Sequence, residues 1–400
     1  MVLISPIRPY IPTDPEEFCT NPYDVISKEE EHKLRKNPNS LIHLILPEGI
    51  GDEIYKNAGK AYREFKKKKI IKKEEKPSIF VYRQESAQFS HQGLILGISL
   101  QDYEDGNIVK HEHTREKPLK DRTDHIVASN VAAGLVWTVF QTNNEINDLI
   151  EQIKQKKPKF NFKKYGYRHL LWQETDQTAI QKLKDLFKNK KVYIADGHHR
   201  AASAAEYRKI QLKKYVLEKK NGTPWQYLLS YVASDDQVQI LPYNRVIKKL
   251  LLSEMEFLKK LEDDFNIKPM EKPFNPEKKN VMAICLKGKW YKLMIKERNF
   301  STKRESLDVS ILQDKILEPI LGIKDPRADE NLFFVGGLQD PREMEKYIIN
   351  NGNDLFINLF PVDIKDIEFI AEEGGVLPPK STWFEPKVLS GLVLFDLKKF

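Results

Sequence analysis

Apolar and polar positions divide this chain into short strands and amphipathic helices that follow one another in no repeating order. Ser27 and Glu30 form a capping-box pattern that predicts a helix through about Arg35. Ile54, Ala58, Ala61, Tyr62 and Phe65 recur at helical spacing and predict an amphipathic helix between Asp52 and Lys69. The apolar runs Ser78–Arg83 and Gly93–Ser99 read as a hairpin with a long polar connection. A short strand at 108–110 follows, then a helix from about Asp121 to Ala133 with Gly134 as its cap, and a buried strand at 135–140. Helices are expected at 144–156 and 176–189, N-capped by Asn144 and Asp176, with a strand at 167–172 between them. A strand at 191–195 leads into a helix to about 215, and Trp225–Ala233 with Gln237–Leu241 reads as a hairpin around Asp235-Asp236. Beyond it lie helices near 253–264, 308–320, 341–350 and 363–372, and strands at 281–286, 289–295, 354–360 and 389–397. This interspersed order predicts an α+β fold rather than a repeating βαβ one.

Polar clusters sit where these elements end. Asp196-Gly-His-His-Arg200 occupies a strand-to-helix junction, where Gly197 permits a tight turn and the opening helix turn presents N–H groups suited to an anion. His111-Glu112-His113-Thr114 follows a short strand and offers a carboxylate and imidazoles, with Lys117, Lys120 and Arg122 beyond it for phosphate oxygens. His111 and His113 alternate, so an extended backbone turns both to one side, and a zinc set with His198 or His199 is one alternative. Lys380-Ser381-Thr382 follows two prolines, a rigid loop of the kind that holds an anion. The chain carries no phosphate-binding Gly-rich loop, no dinucleotide fingerprint, no Gly-x-Ser-x-Gly elbow and no His-Glu-x-x-His.

Composition narrows the setting. The 400 residues suffice for two or three domains, and 40% hydrophobic with 31% charged residues is ordinary for a globular protein. A net charge of +8 favours anionic ligands. Lysines interleaved with aromatics between Lys154 and Tyr165 raise a single-strand nucleic-acid alternative, although 58 acidic residues against 66 basic ones make the excess modest. Two cysteines, Cys19 and Cys285, give no disulfide framework, and the opening residues lack a signal-peptide pattern. Apolar runs such as Leu41–Leu46 fall far short of a membrane span, so the expectation is a cytoplasmic protein with neither membrane nor nucleic acid as partner.

Asp196-Gly-His-His-Arg200, preceded by His111-Glu112, is similar to the signature of the free-serine kinases of the ParB/sulfiredoxin-like superfamily. The wider set resembles still more closely a large bacterial family of pyrophosphate-dependent serine kinases. Its marks are Pro22-Tyr-Asp-Val-Ile-Ser27, Asn37-Pro-x-Ser-Leu-Ile-His43, His111-Glu-x-Thr114, Asp121-Arg122, Ala195–Arg200, Leu307-Asp-Val-Ser310, Pro378–Thr382 and Pro386-Lys387, which span nearly the whole chain. The resemblance implies a mixed-sheet ParB/sulfiredoxin-like catalytic core at 93–242, between an N-terminal α/β region at 1–92 and a C-terminal α/β region at 243–400 that contributes the Lys-Ser-Thr loop. It implies a kinase that phosphorylates free L-serine with pyrophosphate and Mg²⁺. Glu112, Asp196 and His199 would be catalytic, and His111, Lys117, Arg122, His198, Arg200, Lys380, Ser381 and Thr382 would bind phosphate. An ADP- or ATP-dependent serine kinase, a phosphoserine phosphatase and a ParB-like nucleic-acid-binding protein or nuclease are the alternatives. The smaller kinases place the two clusters closer together than the stretch from 112 to 196 found here, and the sulfiredoxins carry a Cys where this chain has Gly197-His198.

Overall fold

A computed structural model describes residues 1–87, 89–112, 114–215, 222–296 and 299–398. The fold is α+β, with a mixed sheet. The chain forms two compact units: Met1–Val238 together with Pro386–Phe400, and Gln239–Glu385.

The first unit is built on a nine-stranded sheet. From edge to edge its strands are Ile108–Val109, Val192–Asp196, Val136–Phe140, Tyr227–Ser234, Ser90–Ser99, Ile79–Glu85, Tyr167–Glu174 and Phe160–Lys164, with Ile4–Ser5 pairing beside Ser90–Ser99. Val192–Asp196 runs parallel to Ile108–Val109, and Tyr227–Ser234 parallel to Val136–Phe140; the other pairings are antiparallel. The central strands are apolar along their length, as strands covered on both faces must be, and all five residues of Val136–Phe140 are buried. Helices Asn144–Lys154 and Gln177–Phe187 put Ile146, Ile150, Ile153, Ile180, Leu183 and Phe187 into the core beneath them. Ala201 and Ala205 bring helix His198–Lys214 onto the same core. On its other side that helix packs on helix Glu116–Ser129, which in turn packs on Glu53–Lys67.

Several expectations are corrected. The first hairpin has a short connection, because Gln84 and His91 extend the ladder and satisfy each other inside it at 3.1 Å. Helix Glu116–Ser129 starts before Asp121, since Pro118 lies in a first turn whose N–H needs no partner. It ends at Asn130, not Gly134: Asn130 takes the left-handed conformation at φ 55°, which asparagine tolerates. The cap of the next helix is Asn143 rather than Asn144. Tyr227–Ser234 makes no hairpin with the following run, because Gln239–Leu241 pairs with Trp383–Glu385 instead. The expected strand at 389–397 shrinks to Phe395–Asp396 with bridges at Ser390 and Leu394, interrupted by Gly391 at φ 90°.

The second unit holds a six-stranded antiparallel sheet ordered Phe265–Met270, Lys289–Ile295, Val281–Leu286, Leu355–Asn358, Tyr243–Ile247 and Leu332–Gly336. Its two end strands escape the sequence reading. Phe265–Met270 contains Pro269, which an edge strand accepts and a central one does not.

Gly93 allows the close approach of Tyr227–Ser234: a Cβ there would meet the Val232 carbonyl oxygen at 2.6 Å and the Tyr231 ring at 2.8 Å. Gly93→Ala is therefore expected to lower unfolding free energy by about 1–3 kcal/mol. Urea denaturation with an unchanged midpoint would contradict this account of the sheet.

Candidate active site

The strand Val192–Asp196 drives Val192 and Ile194 into the core, and its register against Val136–Phe140 shifts between Ile194 and Asp196. Such a shift re-aims the side chains that follow it. Gly197 then turns the chain at φ 97°. A Cβ at this position would also meet the Arg200 guanidinium at 2.9–3.1 Å, so backbone conformation and space both require glycine. The helix His198–Lys214 begins without a side-chain cap on its first N–H groups.

One turn into this helix, Arg200 Nη2 donates to Asp196 Oδ2 at 2.6 Å, and Nη1 donates to the Leu135 carbonyl. Lys387, from the returning C-terminal segment, places Nζ 3.9 Å from Asp196 Oδ1. Burial alone would raise the Asp196 pKa, but Lys387, Arg200 and His198 outweigh it and hold the carboxyl below its ordinary range. Desolvation of the partly buried Arg200 side chain opposes its charge, yet Asp196 and Asp24 keep its pKa raised. Tyr23 and Asp24 thus belong to the same electrostatic group, with Tyr23 lying under the Arg122 guanidinium at 4.5 Å.

His111 and His198 meet edge to face with ring centres 4.5 Å apart. Both are buried, and among the described residues each keeps one ring nitrogen with no hydrogen-bond partner, Nδ1 of His111 and Nε2 of His198. Burial pushes the His111 pKa down to about 4, only partly offset by Asp196 and the Ile194 backbone. Burial, reinforced by His111, pushes His198 well below its usual value. Both rings are therefore neutral near pH 7, and the 3.9 Å approach of His198 Nδ1 to Glu112 Oε2 joins a carboxylate to a neutral imidazole. His199 Nε2 accepts the Arg115 backbone N–H at 3.2 Å, which leaves the ring proton on Nδ1 of the neutral form.

The structure thus brings His111, Glu112, Asp196, His198 and Arg200 together, with His199 on the adjoining turn. Lys117 is exposed in the first turn of Glu116–Ser129. Arg122 is engaged by Asp121 at 2.6 and 2.9 Å and reaches the Ile45 carbonyl at 3.3 Å. Lys380, Ser381 and Thr382 belong to the second unit. His113 lies outside the described residues. Among the described residues no three His, Cys, Asp or Glu side chains form a metal-binding group. The sequence reading gave no role to Tyr23, Asp24 or Lys387, although the Pro-Tyr-Asp and Pro-Lys marks were visible in it.

The lysine–aromatic stretch takes a structural form that its spacing did not foretell. Lys154, Lys156 and Lys159 pair with Glu151, Glu174 and Glu74, and Phe162 is buried against the His169 ring at 5.0 Å. No helix among the described residues is long and apolar enough to cross a membrane.

A family model described as protein of unknown function DUF1015 matches residues 4–310. No curated protein matches. Among solved structures, a free serine kinase variant in complex with AMP is 13% identical, with 72% of this chain and 87% of that one covered and a TM-score of 0.36. A conserved hypothetical protein from Pyrococcus furiosus is 14% identical over 74% and 95%, with a TM-score of 0.35. SbnI with a C-terminal truncation from Staphylococcus aureus is 12% identical over 76% and 87%, with a TM-score of 0.38. At these scores none of the three places a residue of this chain, whose chemistry rests on its own atoms.

Two outcomes follow from the cluster. Gly197→Ala should displace Arg200 and lower the thermal midpoint, and an unchanged midpoint would remove the steric argument. For the imidazole, the folded pKa of about 4 lies below the unfolded value of about 6.5, so the unfolded chain binds the extra proton and stability falls as pH drops between those values. Going from pH 7 to pH 5 should cost about 2 kcal/mol through His111, and His111→Gln should remove that share of the acid dependence of the melting temperature while the other buried rings keep theirs.

Proposed function

This chain belongs to the DUF1015 family, and from that premise we propose that it is a phosphotransferase converting free L-serine to O-phospho-L-serine, with pyrophosphate as the donor. The observation that supports this reading most is the uncapped start of helix His198–Lys214 beside Arg200 and Lys387, with the Glu112 carboxylate close by. Phosphoryl transfer asks for in-line positioning and charge neutralisation more than for covalent help, and this corner supplies N–H groups, two cations and a base. The end-to-end resemblance to serine kinases adds the acceptor and the donor.

Glu112 takes the proton of the serine hydroxyl as the Oγ–P bond forms and the bridging P–O bond of pyrophosphate breaks, releasing orthophosphate. Asp196 is a poor base, because Lys387 and Arg200 favour its charged form. Its part is to hold those two cations and to orient the substrates. His199, whose Nε2 accepts the Arg115 N–H, and the neutral His198 ring lend polar contacts to the phosphoryl oxygens. Mg²⁺ is held in sites of this kind by one or two carboxylates plus phosphate oxygens and water, and the Asp196 carboxylate, whose Oδ1 makes no hydrogen bond among the described residues and lies 3.9 Å from the Lys387 ammonium, would be the ligand. When bound, the ion would neutralise phosphate charge.

ADP and ATP are the competing donors, and the same corner would greet their terminal phosphates. The decisive measurement incubates the protein with Mg²⁺ and serine and, in parallel, pyrophosphate, ADP or ATP, reading phosphoserine by mass spectrometry. Pyrophosphate is expected to give product; failure of all three donors would sink the reading, and release of phosphate from phosphoserine alone would make the protein a phosphatase. Glu112→Gln should lower turnover by roughly 10²–10⁴-fold while leaving the melting temperature near that of the parent.

A further inference from the structure

The segment Leu307-Asp-Val-Ser310 takes no part in the proposed chemistry, lies in the second unit and is buried throughout. Asp308 opens the short helix Asp308–Leu312 and is 5% exposed. Its Oδ1 accepts the Asn280 backbone N–H at 2.7 Å, while its Oδ2 has no hydrogen-bond partner among the described residues. Asn280 itself takes the left-handed conformation at φ 65° and donates its side-chain amide to the Ser306 carbonyl at 3.1 Å. Its carbonyl accepts the Ile295 N–H at 3.4 Å. The Asp308 carboxyl therefore joins the start of a helix to the turn that leads into strand Val281–Leu286.

A carboxylate stays charged inside a protein when several donors or a cation answer it. Asp308 is poorly answered. Of the charged side chains Lys279 acts on it most, and Lys279 is spent on Asp366 at 2.5 Å, which also holds Lys303 at 3.0 Å. Burial pushes the Asp308 pKa up to about 7, and the Asn280 and Phe360 backbones, the Asn280 side chain and Lys279 oppose this only in part. Partial desolvation raises Asp314 too, but that side chain is exposed, with Arg304 and Lys315 opposing the shift. The second unit has no histidine, because all nine of the chain lie in the first.

We propose that Asp308 is a proton-linked latch of the second unit: with its proton on, the junction between helix Asp308–Leu312 and Asn280 stays closed and dry, and loss of that proton draws water to Oδ2 and loosens the junction. The folded pKa of about 7 lies above the unfolded value of about 3.9, so the folded state binds the extra proton between them. The stability this adds is fully present below the unfolded value and is lost as pH rises through the folded one. The buried imidazoles of the first unit have lowered pKa values and act with the opposite sign. The two units thus answer a change of pH in opposite directions, whatever reaction the Asp196 cluster performs.

Hydrogen–deuterium exchange of the full chain, resolved by peptide at pH values of about 5.5, 7 and 8.5 and corrected for the intrinsic pH dependence of exchange, tests the latch. In the parent, segments 279–286 and 306–312 are expected to exchange roughly 10-fold faster or more at the highest pH than at the lowest. Asp308→Asn keeps the shape of the side chain without its charge, and its corrected rate in both segments is expected to stay level. A parent protein whose rate in these segments does not change with pH overturns the latch, whether or not the variant folds. An acceleration kept in full by Asp308→Asn overturns it as well, since Asp314 or another group then carries the response.

Discussion

The first unit turns on one carboxylate shared by two cations. Asp196 ends a core strand, and its partners come from the next helix turn and from a segment almost two hundred residues later, Arg200 and Lys387. Because Arg200 also grips the Leu135 carbonyl, the pair ties together the end of one strand, the start of a helix and the entry to a neighbouring strand. Removing Arg200 would leave Asp196 with the more distant Lys387 ammonium and would free the Leu135 carbonyl of its donor. The clamp requires a residue without a side chain between strand and helix, and Gly197 meets that need twice, through its positive φ and through the room it leaves for the guanidinium.

Around this clamp the protein accepts an unfavourable arrangement. Leaving a buried ring nitrogen unpaired costs roughly 1–3 kcal/mol, and His111 and His198 each carry one. Elsewhere the fold satisfies its buried imidazoles: His125 meets the Leu44 carbonyl at 2.6 Å, His169 meets Tyr82 at 2.7 Å, and His91 lies between Tyr231 and Gln84. The contrast is informative because all these rings are kept neutral by burial. Among the described residues, the pair beside Asp196 and Glu112 keeps an unsatisfied ring nitrogen on each member, at the start of the helix His198–Lys214.

Much of this was legible in the sequence, for identifiable reasons. Long periodic segments such as Glu53–Lys67 and Gln177–Phe187 declare themselves because one face must be buried. The junction at Asp196 was visible because a β-branched run, a glycine and an alanine-rich run follow one another within a few residues. What escaped depends on distant partners. Nothing near Lys387 in the chain says that it will face Asp196, and nothing in Gln239–Leu241 says that its partner is Trp383–Glu385 rather than the strand just before it. Pairings of that range leave no periodic trace.

Arg200 and Arg245 show how one residue type meets two kinds of partner. Arg200 faces Asp196, and its pKa stays raised despite burial; Arg245 faces carbonyls and an aromatic ring, and its pKa falls to about 9. Carbonyl dipoles can hold a guanidinium in place, but they do not cancel its charge. Arg200 thus meets a carboxylate within the fold, whereas the Arg245 guanidinium is hydrogen-bonded to carbonyls alone among the described residues. The difference lies in the partner rather than in the arginine.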